Sequence, residues 1–485
     1  MSLGLGRYLS LSTIHQQVVG INQKVPIYNG QRVRYINLDN AASTPTLKPV
    51  LDHVLAFLPW YSAVHRGSGY KSLVSTVTYD AARTRIAQFF GADPDYHVVI
   101  FGKNTTEAIN TLAARLQFEP GDMVLTTLME HHSNDLPWRR VAKVIRADVH
   151  EDGALDRDDL ERKLSLHHRR IRLVALSGAS NVTGWVNDIH SIAALAHHYN
   201  IPVMVDGAQL AAHRPINLLS PNDPRHIDFL AISGHKLYAP FGTGVLIGPR
   251  HVFERGSPEF VGGGTVSLVT PLGVEWAMPP AKDEAGSPNV IGVIALASAL
   301  AILDDLGLDN IALHEQSLTD YALMQLGQIA KLKLYGSKKT QDMNRLGVIS
   351  FELEGYDHAL VAAILAFYGG IGVRSGCFCA QPYIQRLLGL DPMTVARLRH
   401  RHSSGEIKYL PGLVRISLSM YNTPGELNHL AKTLQEICAH SPAYWLQHLR
   451  WDDDLQCYVL RDQRLVLPKQ LLFQRRGSGL LPGIL

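Results

Sequence analysis

From residue 98 the chain repeats one pattern: a short apolar run, a polar turn, then helical spacing. The apolar runs are Val98–Phe101, Met123–Thr127, Ile171–Leu176, Ile201–Val205, Phe229–Ile232 and Gly244–Ile247. Strands lacking polar alternation are those covered by helices on both faces of a sheet. Most runs end at their carboxyl side in polar residues: Gly102-Lys-Asn-Thr-Thr-Glu107, Glu130-His-His-Ser-Asn134, Ser177-Gly-Ala-Ser-Asn181, Asp206-Gly-Ala-Gln209 and Ser233-Gly-His-Lys236. In open α/β sheets that edge is where ligands sit. Helical spacing covers 47–59, 79–90 and 188–199, and Ala63–Gly69 reads as a glycine-punctuated loop. Residues from roughly 40 to 290 therefore predict one large α/β domain with a mostly parallel sheet.

The rhythm then changes. Helical spacing over 290–305 and 311–331 precedes a strand at 345–352, a helix at 357–368, short strands at 371–374 and 414–418, and a closing helix at 424–438. This predicts a smaller α+β domain. Before the first domain, Arg34–Pro45 reads as a strand running into a polar turn, with Thr44-Pro45 starting a helix. After 440 comes a separate tail in which 458–468 has the pattern of a hairpin and 477–485 that of a frayed end. The expected division is an N-terminal segment 1–35 packing with the small domain, a large domain 36–295, a small domain 296–440, and a C-terminal extension 441–485.

Composition adds room and removes some function classes. At 485 residues, 46% hydrophobic and 18% charged, the chain can bury a large core in two or three domains. A formal net charge of +3 makes no electrostatic case for nucleic acid or a membrane surface. The longest nearly apolar stretch, 290–303, is too short to span a bilayer. Four cysteines at 377, 379, 438 and 457 are too few and too uneven for a disulfide framework. With no signal-peptide pattern at the start, a reducing, cytoplasmic home is expected.

Candidate chemistry gathers at the strand ends. Lys236 follows an apolar run, where burying an ammonium is costly unless the group is paired or chemically committed. A lysine that forms a Schiff base with a cofactor aldehyde is so committed, and a snorkelling lysine at a strand end is the plainer alternative. Asp206, also at a strand end, suits a carboxylate facing a pyridine nitrogen or a simple helix cap. His131 suits ring stacking or a structural loop. Thr105, Thr106, Ser233 and His235 could hold a phosphate. Asn104 or Thr105 would cap a helix whose free N–H groups favour anions. No His-Glu-x-x-His or similar spacing accompanies His131-His132, so no metal site is expected.

In order, Asp39-Asn-Ala-Ala42, Asn104-Thr-Thr-Glu107, Glu130-His-His-Ser-Asn134, Ser180-Asn-Val-Thr-Gly184, Val205-Asp-Gly-Ala-Gln209, Ser233-Gly-His-Lys-Leu237 and Arg415-Ile-Ser-Leu-Ser-Met-Tyr-Asn422 resemble the class V aminotransferase family of pyridoxal 5'-phosphate enzymes. Arg374-Ser-Gly-Cys-Phe-Cys-Ala-Gln-Pro382 resembles the catalytic segment of cysteine desulfurases and selenocysteine lyases. The resemblance covers about residues 30–438. It implies fold type I: a large domain with a mostly parallel seven-stranded sheet, and a smaller α+β C-terminal domain carrying the cysteine loop.

The same resemblance implies roles. Lys236 would hold the cofactor as an internal aldimine and take the substrate Cα proton. Asp206 would pair with the pyridine nitrogen, Gln209 and Asn181 would approach the ring oxygen, and His131 would stack on the ring. Thr105, Thr106, Ser233 and His235 would bind the phosphate, and Ser287 would reach the phosphate of a second subunit, implying a homodimer with shared sites. Arg415 would clamp the substrate carboxylate, with Arg374, Asn40 and Ala41 beside it. Cys379 would attack the sulfur of L-cysteine, giving an enzyme persulfide and alanine, with a sulfur-acceptor protein as a further partner. The desulfurase group it most resembles usually has a histidine pair where Cys377-Phe378 stand here. Alternatives are therefore another class V reaction (aminotransferase, epimerase or lyase) or a non-catalytic scaffold.

Overall fold

The computed structural model describes residues 9–339 and 344–461. Its centre is a seven-stranded sheet. Across the sheet the strands run His97–Gly102, Gly244–Pro249, Phe229–Ser233, Val203–Asp206, Ile171–Ser177, Met123–Thr127, Lys143–Ala147. All are parallel except Gly244–Pro249, which is antiparallel to both neighbours. Four of the strands are buried along their whole length, matching the unbroken apolar runs. The expected mostly parallel seven-stranded sheet is thus present.

Two elements of this domain escape a reading by hydrophobic pattern. Lys143–Ala147 is an edge strand with one partner, and its lysine and arginine break the apolar run. Helix Tyr70–Phe89 begins well before 79 because its first turns bury serines instead of apolar residues. The Ser72 hydroxyl donates to the Ala63 carbonyl at 2.6 Å, and Ser75 donates to that of Trp60 at 3.1 Å.

Helix Val290–Leu306 is buried on nearly every side and packs on Tyr70–Phe89. Among the described residues no single helix is long and apolar enough to cross a membrane. A second sheet follows, ordered Leu332–Tyr335, Val348–Leu353, Leu413–Ser417, Arg374–Gly376, all antiparallel. The strand expected over 371–374 is two: Ile371–Gly372 pairs in parallel with Ile36–Asn37, and Arg374–Gly376 pairs with Leu413–Ser417. That switch brings the N-terminal segment and the second sheet to one place. Helix Pro392–Ser403, absent from the pattern reading, has no buried residue and so no apolar stripe. In the tail, Cys457–Leu460 pairs back on Leu449–Asp452. The far part of the hairpin expected over 458–468, and the end at 477–485, lie outside the described residues.

One buried ion pair fixes the segment just before helix Val290–Leu306. Arg83 meets both oxygens of Glu284 at 2.7 and 2.9 Å, and Glu284 also accepts from the Tyr79 hydroxyl and the Phe101 amide. Removing one partner of such a pair leaves the other charge stranded. Glu284→Ala should therefore lose about 3–5 kcal/mol in urea unfolding; a loss under 1 kcal/mol would show the pair to be expendable.

Candidate active site

The polar turns at the carboxyl edge of the large sheet, the Asp39–Ala42 turn and the loop after Gly376 close around one cavity of about 280 Å³. It is lined by Lys236, Asp206, His131, Thr105, Thr106, Ser233, His235, Gln209, Asn181, Ala41, Arg374, Arg415 and Cys379. Two candidates lie elsewhere. Asn40 is buried behind the wall, donating to the Ser417 carbonyl at 2.9 Å and to Asn422 at 3.2 Å. Ser287 lies on the exposed surface.

Local geometry explains how each group arrives. Strand Phe229–Ser233 ends in a single 3-10 turn, Gly234–Lys236, which turns the lysine into the cavity floor. Loss of water lowers the Lys236 pKa to about 8, with Asp206 opposing and Arg415 adding to the fall. No ion pair within the described residues ties its ammonium. Asp206 ends strand Val203–Asp206 and is 5% exposed. Burial raises its pKa, and one backbone N–H, from Ala208 at 3.0 Å, opposes that. A carboxylate and an amine, both buried, thus line one cavity without forming an ion pair with each other.

Asn104 caps helix Thr105–Arg115 by accepting from the Glu107 amide at 3.0 Å, so the helix start faces the cavity. Gly244 makes this possible: a Cβ there would stand 2.4 Å from the Asn104 backbone. Around that start lies a hydroxyl cluster. Thr105 and Ser233 hydroxyls are 2.7 Å apart, as are those of Thr106 and Ser133. His131 accepts the Ser133 amide on Nδ1 at 3.1 Å, which puts its hydrogen on Nε2. Desolvation, then the charge of Lys236, holds its pKa down to about 3, so the ring is neutral.

Arg374 and Arg415 stand directly opposite each other on paired strands, a like-charge pairing that is unfavourable alone. Asp39 resolves it. One carboxylate oxygen takes Arg415 at 3.0 Å and the other takes Arg374 at 2.8 Å. Arg415 also donates to the Asn181 carbonyl at 2.9 Å, and its guanidinium lies 4.9 Å from the Phe378 ring centre.

Cys379 sits in a tight loop in which Phe378 and Cys379 both have left-handed backbone, φ 51° and 54°. Non-glycine residues hold that conformation only where surroundings enforce it. Here the Cys379 carbonyl accepts the His132 amide at 2.6 Å, the Phe378 carbonyl accepts Asn181 Nδ2 at 2.8 Å, and the Cys377 carbonyl accepts the Ala380 amide at 2.8 Å. Sequence reasoning passed over Asp39, Phe378, Ser133 and His132 as site residues. Asp39 lay inside a quoted motif, and its role emerges only when two distant strands meet.

A fold with a lysine and an aspartate at adjacent strand ends, a helix start ringed by hydroxyls, and paired arginines defines a fold type I cofactor enzyme. The model of the aminotransferase class-V family matches residues 36–430, and the chain belongs to that family. The family is pyridoxal phosphate-dependent. The chain is 37% identical over 423 residues to a cysteine desulfurase of Cronobacter sakazakii, covering 84% of this chain and 94% of that one. It is 36% identical over 421 residues to a cysteine desulfurase of Serratia proteamaculans, with the same coverage. Among solved structures, the cysteine desulfurase CsdA of Escherichia coli matches with a TM-score of 0.73 at 30% identity, over 89% of this chain and 99% of that one. The apo cysteine desulfurase of Thermococcus onnurineus matches with a TM-score of 0.74 at 29% identity, over 88% and 97%.

Glu130 supports the cavity from behind. It accepts Thr127 at 2.5 Å, Asn134 at 2.6 Å, and both the hydroxyl and the amide of Ser177 at 2.6 and 3.1 Å. Burial nevertheless raises its pKa from 4.5 to about 7. The folded state thus binds this proton more tightly than the unfolded state. Its contribution is fully present below pH 4.5 and is lost as pH rises through about 7. Unfolding free energy of the wild type should therefore fall over that window relative to Glu130→Gln; parallel pH profiles would refute the assignment.

Proposed function

We propose that this chain is a pyridoxal phosphate-dependent cysteine desulfurase, taking sulfur from L-cysteine onto Cys379 and releasing alanine. The observation that carries this reading is the placement of Cys379 in the same cavity as Lys236, Asp206 and Arg415. The residues suit the cofactor. The buried Asp206 carboxylate, whose pKa burial raises, makes no ion pair among the described residues and suits a protonated pyridine nitrogen. The Thr105–Ser233 and Thr106–Ser133 hydroxyls at the helix start, with His235, suit its phosphate. Lys236 suits its aldehyde, Gln209 and Asn181 its ring oxygen, and the neutral His131 its ring face. When bound, the cofactor supplies a sink for the electrons released at the substrate Cα.

The chain's own groups do the rest. Arg415 and Arg374, fixed by Asp39, receive the substrate carboxylate beside Ala41. Lys236, its pKa lowered to about 8, has an appreciable amine fraction at neutral pH to accept the Cα proton. The Cys379 thiolate attacks the substrate sulfur. The new S–S bond forms as the Cβ–S bond breaks, its electron pair staying with carbon, which takes a proton to become the methyl group of alanine. Cys379 suits this step better than Cys377. It is exposed in the cavity that Lys236 and Arg415 also line. Cys377 packs against the core, where desolvation raises its pKa and suppresses the thiolate.

Exposed Ser287 on the segment anchored by Glu284 supports a homodimer in which that segment reaches a second subunit's site. Four unpaired cysteines support a cytoplasmic setting. The exposed thiol of Cys379 supports delivery of its sulfur to an acceptor protein. Our reading of the chain as segment 1–35, domains 36–295 and 296–440 and extension 441–485 has support in the separation of the seven-stranded sheet from the four-stranded sheet.

Two outcomes are expected. Covalent capture of pyridoxal phosphate by apoprotein, followed by visible absorbance, should accelerate about tenfold per pH unit up to about pH 8 and level off above it. A pH-independent rate would exclude Lys236 as the group captured. Cys379→Ser should keep that capture but lose alanine and sulfide production from L-cysteine on the order of a thousandfold. Turnover at the wild-type rate would remove Cys379 from the mechanism.

A further inference from the structure

A second group of ligating side chains lies at the opposite edge of the large sheet. His197 is in the last turn of helix Ile189–His198, and Asp228 immediately precedes strand Phe229–Ser233, with His226 two residues earlier. Their ligating atoms all lie within 4.8 Å of one another, and all three side chains are largely buried. Asp228 enters the strand whose other end delivers Ser233 and Lys236, so this group is remote from the active-site cavity.

The hydrogen bonds settle how the rings are used. His197 Nδ1 is 2.7 Å from the Pro224 carbonyl oxygen, and His226 Nδ1 is 2.7 Å from that of Asp223. A carbonyl only accepts, so both Nδ1 atoms carry hydrogen. Each Nε2 then faces the Asp228 carboxylate: His197 at 2.9 Å from Oδ2, His226 at 3.3 Å from Oδ1. The two rings stack with centroids 4.2 Å apart and 22° from parallel, and both present Nε2 to the Asp228 carboxylate. One ion between the two Nε2 atoms and the carboxylate would engage all three groups at once. An imidazole donating Nδ1–H to a carbonyl is also the arrangement that orients a metal-bound histidine.

We infer that His197, His226 and Asp228 bind one divalent transition metal of the zinc class. His197 Nε2 lies 2.9 Å from Oδ2 and His226 Nε2 lies 3.3 Å from Oδ1 of the same carboxylate, so an ion with bonds of about 2.0–2.1 Å is within reach of all three groups after small side-chain shifts. Two imidazoles and a carboxylate are a zinc donor set, and water completes it. The site ties the end of helix Ile189–His198 to the start of strand Phe229–Ser233, and it closes the loop whose carbonyls at 223 and 224 hold the rings. The first two ligands are 29 positions apart, so no short spacing motif announces the site.

The test uses holoenzyme carrying Cys377→Ser and Cys379→Ser, so that no thiol of the cysteine loop competes. After chelator dialysis, zinc chloride should bind at one equivalent per chain and raise Tm to a plateau at that stoichiometry. Adding His226→Ala should weaken binding roughly tenfold or more and abolish the Tm rise. Cobalt(II) should give a tetrahedral visible band that the His226→Ala protein lacks. Equal zinc affinity with and without His226, or no saturable equivalent, would overturn the assignment. Zinc-edge anomalous diffraction from wild-type holoenzyme crystals decides the matter without any variant: a peak between the three side chains supports the site, and its absence at saturating zinc refutes it.

Discussion

The constraint on which this molecule turns is the desolvation of Lys236. An ammonium in that cavity is unfavourable enough to bring its pKa down to about 8, and Asp206 in the same cavity is pushed the other way. Ordinary core design would pair them or replace both with apolar groups. Here they are held on separate strand ends, each supported by the backbone of a buried parallel strand. On the proposed reading, a molecule with an aldehyde for one and a ring nitrogen for the other satisfies both groups, so their desolvation favours the cofactor.

A similar logic governs the arginines. Arg374 and Arg415 face each other across paired strands, and Asp39 arrives from the N-terminal segment to bridge them. The bridge holds three parts of the chain together: the Asp39–Ala42 turn, the second sheet, and, through Asn181, the large sheet. It also keeps Arg415 oriented while nearly dry, at 3% exposure. On the proposed reading, a clamp pre-set in this way loses little conformational entropy when a carboxylate arrives.

Much of this was legible in the sequence because the large sheet is buried on both faces. Unbroken apolar runs such as Phe229–Ile232 announce such strands, and the polar residues after them mark the ligand edge. Thirteen candidate residues, from Ala41 to Arg415, do line one cavity. What stayed hidden has specific causes. The start of helix Tyr70–Phe89 buries serines, and the edge strand Lys143–Ala147 carries charge, so neither shows the expected pattern. Asp39 and His132 work through groups hundreds of residues away, as in the bond from the His132 amide to the Cys379 carbonyl. No local spacing encodes such a contact.

The departure at Cys377-Phe378 is best understood through that loop. Phe378 does more than fill space. Its ring lies against the Arg415 guanidinium, and its carbonyl takes the amide of Asn181, whose own carbonyl takes Arg415. The group that would receive the substrate carboxylate and the loop that would carry the nucleophile are therefore parts of one hydrogen-bonded unit. Two consecutive left-handed residues make the loop costly to hold, on the order of 1–3 kcal/mol each, and this unit offsets that cost. A carboxylate that pulls on Arg415 also pulls on Asn181 and Phe378, and so on the residue next to Cys379. On the proposed reading, substrate binding and nucleophile placement are coupled through a phenylalanine.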